Sequence, residues 1–305
     1  MTASDDVRDA PPQPVRLGGP DAAARADIHR ARRVLDVLLD EVRADLAPRA
    51  GDASVTFKAD GTPVTPFDRA TDERIVNALV DAFPTHGAVS EETTQVAPGT
   101  DWTWVLDPID GTSNFIAGVP YWCVSVALCL EGAPVLGVVE APSLARRFTA
   151  VVGESAQEEH DGRTRPMRVT EPVPLRDPAS SHVPGLYSGG AARDLTRDGI
   201  RLNARIIGAS ALDLAMVARG VAPLSLALAP HVWDIAAGAI LVTEAGGTVL
   251  GWGDAALLPL VPGDDYADRV RPTAGGADGA TAHEALAAVA RTRGVDPQAW
   301  GPWGE

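Results

Sequence analysis

Apolar positions first recur at helical spacing. Across Ala22–Leu46, Ile28, Ala31, Val34, Leu35, Leu38, Leu39 and Val42 share one side, and Arg and Asp residues fill the other. That period predicts one long amphipathic helix whose apolar stripe is core. Residues 51–66 are polar and punctuated by Gly and Pro, the pattern of a loop. A second helix is expected from Phe67, with Ile75, Leu79 and Val80 on its apolar side and its end before Pro84. The period then changes. Residues 103–106, 122–130, 135–140 and 148–152 are β-branched or apolar runs between turn residues, as buried strands are. Residues 153–185 are charged, Pro-rich and poorly patterned, a surface connection with room for one strand. From residue 204 helix and strand alternate again. Strands are expected over 205–207, 224–228 and 248–252, and helices over 210–219, 235–244 and 281–293. The fold class is α/β, with an N-terminal half over 21–152 and a C-terminal half over 153–305. A tail over 1–20, with Pro11, Pro12 and Pro14 among small polar residues, is expected to be mobile.

Composition narrows the picture. The chain has 305 residues, 45% of them hydrophobic, enough to bury a large core across roughly two domains or subdomains. No apolar run is long enough to span a bilayer, and no basic segment leads into an apolar one as in a signal peptide. The two cysteines, Cys123 and Cys129, share one apolar segment at a spacing that matches no Cys-x-x-Cys motif. Buried thiols in a reducing cytoplasm fit that placement. The formal net charge of −15 makes nucleic acid polymers and anionic membranes poor partners. It would also repel a small phosphate ester, unless metal ions supplied local positive charge.

Candidate chemistry concentrates between Trp104 and Phe115. Trp104-Val105-Leu106 reads as the end of a buried strand, and Pro108 and Gly111 break any further ladder. Asp107 and Asp110 are thereby expected in one tight turn, pointing into one small volume. Two carboxylates that close are unfavourable without a cation between them. Hard oxygen ligands of this kind suit Mg²⁺. Asp-Pro and Asp-Gly are also ordinary turn formers, so this segment alone leaves a plain turn open. Ser90-Glu91-Glu92 adds acid after Ala88-Val89, where a solvated loop is the simpler reading. Further on, Asp234 opens a run of small and aliphatic residues that Gly246-Gly247 ends. Helix capping is its simpler role, although a capping carboxylate keeps an oxygen for a metal.

Together the segments Asp107-Pro108-Ile109-Asp110-Gly111-Thr112-Ser113-Asn114, Trp233-Asp234-Ile235-Ala236-Ala237 and Glu244-Ala245-Gly246-Gly247 resemble the inositol monophosphatase family, Mg²⁺-dependent and lithium-sensitive phosphatases. Order and separation agree, from the first helix to the end of the chain, and the tail falls outside. The resemblance implies a layered αβαβα sandwich with the site where its halves meet, a homodimer, and two to three Mg²⁺ ions. It assigns Glu91, Asp107 and the Ile109 carbonyl to a first ion, and Asp107, Asp110 and Asp234 to a second. A weaker third would use Glu91 and water. The segment Thr62-Pro63-Val64-Thr65-Pro66-Phe67-Asp68 resembles the family's Val-Thr-x-x-Asp element, which places Asp68 beside Thr112 to orient the attacking water, with Glu91 as the third catalytic residue. Lys58 lies in the loop that reaches the metals in relatives. Asp110, Gly111, Thr112 and Asp234 would hold the phosphate, and Gly208-Ala209-Ser210 would line the leaving-group side. The implied reaction is hydrolysis of a small phosphate monoester by metal-activated water, with no covalent nucleophile.

The substrate half departs from this pattern. Relatives acting on inositol phosphates place a Glu seven residues before the Trp-Asp aspartate, and here that position is Ala227. Residues 218–223 also lack the acidic residue often found there. A polyol loses a hydroxyl partner by this change, which puts inositol in doubt and leaves hydrolysis untouched. The wording Asp60-Gly61-Thr62-Pro63-Val64-Thr65 is similar to histidinol-phosphate phosphatases and nucleotide-directed members. Histidinol phosphate, or a sugar or nucleoside phosphate, is therefore the alternative substrate. A non-catalytic metal- or phosphate-binding module is the competing class. It would call for a lost ligand, yet Glu91, Asp107, Asp110, Asp234, Asp68 and Thr112 are all present.

Overall fold

Along residues 123–130, Val124, Val126 and Leu128 enter one hydrophobic core while Cys123, Ala127 and Cys129 enter another. A strand apolar on both faces belongs to a sheet covered on both sides, and the rest of the chain supplies the covers. The structure is a computed structural model and describes residues 20–58, 61–252 and 257–295. The expected tail lies outside the described residues except for Pro20.

Helices α1 (Ala22–Leu46) and α2 (Pro66–Ala82) flank a small hairpin of β1 (Thr56–Phe57) and β2 (Pro63–Val64). A seven-stranded sheet follows, made of β3 (Gly87–Ser90), β4 (Trp102–Asp110), β5 (Cys123–Leu130), β6 (Ala133–Ala141), β7 (Arg146–Val151), β8 (Gln157–His160) and β9 (Arg163–Pro166) in that order. Only β3 and β4 are parallel. The short helix α3 (Thr112–Ala117) joins β4 to β5. A five-stranded sheet combines β10 (Pro184–Tyr187), β11 (Asn203–Arg205), β12 (Leu224–Ala227), β13 (Thr248–Gly251) and β14 (Thr273–Gly276), ordered β11-β10-β12-β14-β13. The remaining helices are α4 (Gly189–Arg197), α5 (Ser210–Ala218), α6 (Val232–Glu244) and α7 (Gly279–Arg293).

Three cores set five layers. Ile28, Leu35 and Leu39 of α1 and Ile75 of α2 meet the large sheet at Trp104, Val124 and Val138. The sheet's other face meets α5 and α6 through Leu212, Ile235, Ile240 and Leu241. Leu224 and Leu226 of the small sheet meet α4 and α7 through Leu195, Leu286 and Val289. The order is helices, sheet, helices, sheet, helices. Helix α6 is apolar almost all round because both sheets press on it.

Buried charge fastens α1 to this frame. Glu140 on β6 is fully buried and accepts from Arg43 Nε at 2.6 Å and Arg43 Nη2 at 2.8 Å. Arg147 on β7 donates from Nε to the same carboxylate at 2.7 Å and from Nη2 to Asp40 at 2.8 Å.

Several elements differ from the sequence reading; the strand expected over 205–207, for one, lies at Asn203–Arg205. The connection after residue 152 holds the hairpin β8–β9, whose residues are mostly polar and carry no apolar alternation. Helix α4 opens on Gly189-Gly190, and with no strong helix former at its start it escaped the pattern. Strand β14, Thr273-Ala274-Gly275-Gly276, escaped too because its value lies in being small. A Cβ on Gly275 would stand 2.4 Å from Leu214 Cδ2, so the bare backbone is what lets α5 approach the sheet.

Candidate metal centre

The carboxylates of Asp107, Asp110 and Asp234 converge, each offering an oxygen within 4.8 Å of the others. The first two owe their shared direction to a bulge. Asp107 pairs with Ser125 and Asp110 with Cys123, so three steps along β4 oppose two along β5. Residues three apart in a regular strand face opposite sides, and one extra residue returns both to the same side. The sequence reading expected β4 to end at Leu106 in a turn. Instead the strand runs on through Asp110. Pro108 is tolerated because β3 ends at Ser90, paired with Leu106, leaving Pro108 no partner on that side. Ile109 N donates to Asp107 Oδ1 at 2.9 Å, which fixes the first carboxylate.

Asp110 is fixed from the other half. Its Oδ1 accepts from Ser210 N at 3.1 Å and its Oδ2 from Ala211 N at 2.7 Å, so it serves the open N-terminal amides of α5. Cys123 Sγ donates to the same Oδ2 at 3.6 Å. Asp234 does not open α6 as expected, since His231 precedes the helix and Asp234 is its third residue. From there its Oδ2 reaches back to accept from His231 N at 2.8 Å. Gly111 joins β4 to α3 at φ +88°, and a Cβ on it would lie 3.1 Å from Gly208 O and 3.2 Å from Ala209 Cβ. Glycine thus serves both the left-handed turn and the close approach of the halves. Asn114 ties the same junction, donating to Tyr121 O and Ile207 O at 2.7 Å each.

Asp68 and Thr112 stand side by side. Thr112 Oγ lies 3.2 Å from Asp68 Oδ1 and 3.0 Å from Ile109 O, so its single proton serves one or the other. Asp68 Oδ2 accepts from Thr65 N and Oγ1 at 2.8 and 2.6 Å, a capping box that holds the start of α2. Glu91 is not among the three converging residues. Lys58 Nζ donates to its Oε1 at 2.8 Å and pairs with Glu92 Oε1 at 2.5 Å. Sequence reasoning missed the support beneath it. Asp72, fully buried, accepts from Ser90 Oγ at 3.1 Å and Thr93 Oγ1 at 2.6 Å and so braces the loop that carries Glu91. Its signal was four-residue spacing from Asp68 on one helix face.

Ala227 shares a small hollow of about 10 Å³ with Ser210, Asp213, Ser225 and Thr273, so a carboxyl group stands beside Ala227. Tyr121 Oη donates to Asp213 Oδ1 at 2.7 Å, and burial pushes that carboxyl up to about 7.

Burial, and then the charge of their neighbours, raises Asp107 and Asp110 well above the usual carboxylate range. Glu91 rises from 4.5 to about 7, chiefly through burial and against the pull of Lys58. A cation placed among these groups requires them ionised, so its binding releases protons. A carboxyl raised by folding adds stability below its unfolded pKa, and that stability is lost as pH rises through the folded value. For Glu91 the window is 4.5 to about 7. The metal-free protein is therefore expected to melt lower as pH rises through that window, and Mg²⁺ to raise the melting temperature more near pH 8 than near pH 5. Thermal melts with Mg²⁺ or EDTA check this. An equal Mg²⁺ effect at both ends would refute it.

A five-layered α/β frame that brings two buried aspartates and a half-buried third to one point defines a metal-dependent hydrolase. Residues 21–293 match the family model described as "Inositol monophosphatase family". The chain belongs to the inositol monophosphatase family, whose activity is Mg²⁺-dependent phosphomonoester hydrolysis. A histidinol-phosphatase of Streptomyces coelicolor is 37% identical over 234 residues, 72% of this chain and 85% of that protein. Inositol monophosphatase 2 of Solanum lycopersicum is 37% identical over 199 residues, 61% of this chain and 74% of that protein. The structure of a Thermotoga maritima IMPase covers 89% of this chain and 98% of its own at 28% identity, with a TM-score of 0.71. No helix among the described residues is long and apolar enough to cross a membrane.

Proposed function

We propose that the chain hydrolyses the phosphate monoester of a small amino alcohol, of which histidinol phosphate is the type. The hydrolytic part rests on the convergence of Asp107, Asp110 and Asp234 within 4.8 Å. Three carboxylates with only hard oxygen donors fit Mg²⁺. Asp107, Asp110 and Asp234 would hold one ion, and Glu91 with Asp107 and the Ile109 carbonyl would hold another once Lys58 releases Glu91. The bound metal supplies Lewis-acid charge to water and to the phosphoryl group. Thr112 gives its proton to Asp68 or to the Ile109 carbonyl, which leaves its own lone pairs to accept from the attacking water. The junction of Gly111 with Gly208 and Ala209 shapes the wall beside the phosphate, and Ser210 borders the leaving group.

Asp213 supports the choice of substrate. Ala227 offers no acceptor to a polyol, while Asp213 beside it offers a carboxyl raised to about 7, which an ammonium-bearing leaving group would draw into its ionised form. The Streptomyces coelicolor relative named for histidinol phosphate agrees with this reading. A panel of histidinol phosphate, inositol 1-phosphate, fructose 1,6-bisphosphate and nucleoside monophosphates tests it, with released phosphate as the readout. Histidinol phosphate is expected to lead. In Asp213→Asn its KM should rise by about tenfold or more, the worth of one charge-assisted hydrogen bond, while an aryl phosphate that carries no ammonium group is unaffected. Preference for inositol 1-phosphate would remove the amino-alcohol reading and leave hydrolysis standing.

Li⁺ is expected to inhibit turnover by taking one of the cation positions. Initial rates over a Li⁺ series at fixed Mg²⁺ test this, and a flat series would count against it.

A further inference from the structure

The β7–β8–β9 end of the large sheet carries a second polar centre. A cavity of 280 Å³ is lined there by Arg146, Arg163, Arg165 and Arg219 together with Glu158 and His160. The ladder puts most of them on one sheet face, since Arg146 pairs with His160, His160 with Arg163, and Glu158 with Arg165. Arg219 comes from a different element, the residue that closes α5. Glu158 is the buried pin. It forms an ion pair with Arg146 Nη1 and, at 3.0 Å, with Arg219 Nε, which holds two guanidinium groups side by side. His160 is fixed in turn, with Nδ1 at 3.1 Å from Ala145 O and Nε2 at 3.3 Å from Asp161 Oδ2. Arg163 and Arg165 are exposed on β9.

Such crowding is costly. Burial, then the charge of Arg219, and further that of Arg165, lower the pKa of Arg146, with Asp161 opposing. Four guanidinium groups face the carboxylates of Glu158 and Asp161, leaving positive charge in excess within a chain of net charge −15. Charges on an edge strand do discourage pairing with other edges. That purpose needs only outward charges such as Arg163 and Arg165. It does not draw Arg219 from α5 around a buried carboxylate. Converging guanidinium forks match the oxygens of phosphate or carboxylate groups. The volume lies at the small end for ligand pockets, about 300 Å³. The acidic centre is elsewhere. Asp110 holds the first amides of α5, and Arg219 closes its far end about 14 Å along the axis.

We propose that this cavity is a binding site for a small polyanion bearing two or more phosphate or carboxylate groups, with Arg146 and Arg219 as its fixed floor and Arg163 and Arg165 as its exposed arms. Calorimetric titration of pyrophosphate, and separately of citrate, into the full chain at low salt without divalent metal tests it. Without metal the acidic centre has no bound cation to hold either probe. Pyrophosphate or citrate should bind once per chain, and whichever binds tells phosphate from carboxylate chemistry. The double variant Arg163→Gln/Arg165→Gln should weaken binding about tenfold or more, the loss of at least one charge-assisted hydrogen bond. Both residues are exposed, and an unchanged melting temperature shows that the fold survives. Asp234→Asn should leave binding intact. Silence to both probes at millimolar concentration, unchanged affinity in the double variant, or loss in Asp234→Asn would each overturn the proposal.

Discussion

Asp107→Asn and Asp234→Asn are each expected to lower Mg²⁺-dependent phosphate release by about 10³-fold or more, while the fold remains. A bound cation contributes several kcal/mol to the transition state, and each 1.36 kcal/mol is a factor of ten. Both substitutions preserve shape and the backbone contacts. The amide oxygen introduced by Asp107→Asn can still accept from Ile109 N, and that introduced by Asp234→Asn can still accept from His231 N. Asp110 is a poorer choice, because both its oxygens accept from α5 and an amide there would set N–H against N–H. Stability gives a second readout with the opposite sign. Without metal, removing one carboxylate from a repelling trio should raise the melting temperature, whereas added Mg²⁺ should stabilise the wild type more than either variant. Near-normal turnover in either variant would remove the shared-ion arrangement. A fall in turnover with the same Mg²⁺ stabilisation as wild type would separate chemistry from binding.

Glu140→Ala is expected to be the most damaging single change away from the site, costing about 3–5 kcal/mol. Its carboxylate is fully buried and accepts from two arginines on different elements. Removing it leaves Arg147, itself buried, with only Asp36 and Asp40 at the far side of its guanidinium. It also removes the link between α1 and β6, since Arg43 has no other acceptor in this cluster. Denaturant unfolding at unchanged m-value measures the loss. A cost under about 1 kcal/mol would mean that water reaches and solvates the arginines. Glu140 lies on the outer core side of the sheet, so Mg²⁺-dependent turnover of the folded fraction should stay close to normal.

The candidate site was legible in pieces. Asp107-Pro108-Ile109-Asp110-Gly111 and Trp233-Asp234 could be read because carboxylates beside Pro, Gly and a helix start leave a local mark. The capping box that seats Asp68 was as visible as any four-residue motif can be. What the segments do to one another came only from the family resemblance, which set Asp234 with Asp107 and Asp110, and Asp68 beside Thr112. The bulge that turns Asp107 and Asp110 the same way is a matter of register against β5, and nothing in β4 alone announces it. Asp213 lies on α5, and only the fold sets it beside Ala227. The braces on Glu91 from Asp72, Ser90 and Thr93 likewise come from two elements.

Periodicity and local chemistry let the sequence alone determine α1 with its ends, most strands of the large sheet, the α/β class and the acidic motifs. Those properties depend on neighbours within a turn or two of chain, where spacing dictates which side chains share a face. Tertiary structure alone decided the hairpin β8–β9, the small-residue strand β14, the bulge that turns Asp107 and Asp110 the same way, and the gathering of Arg219 onto the sheet edge. Each of these depends on register and on packing between distant segments. A strand made of Gly and Ala gains its place from the bulk of α5, and a carboxylate gains its partners from the layer folded over it.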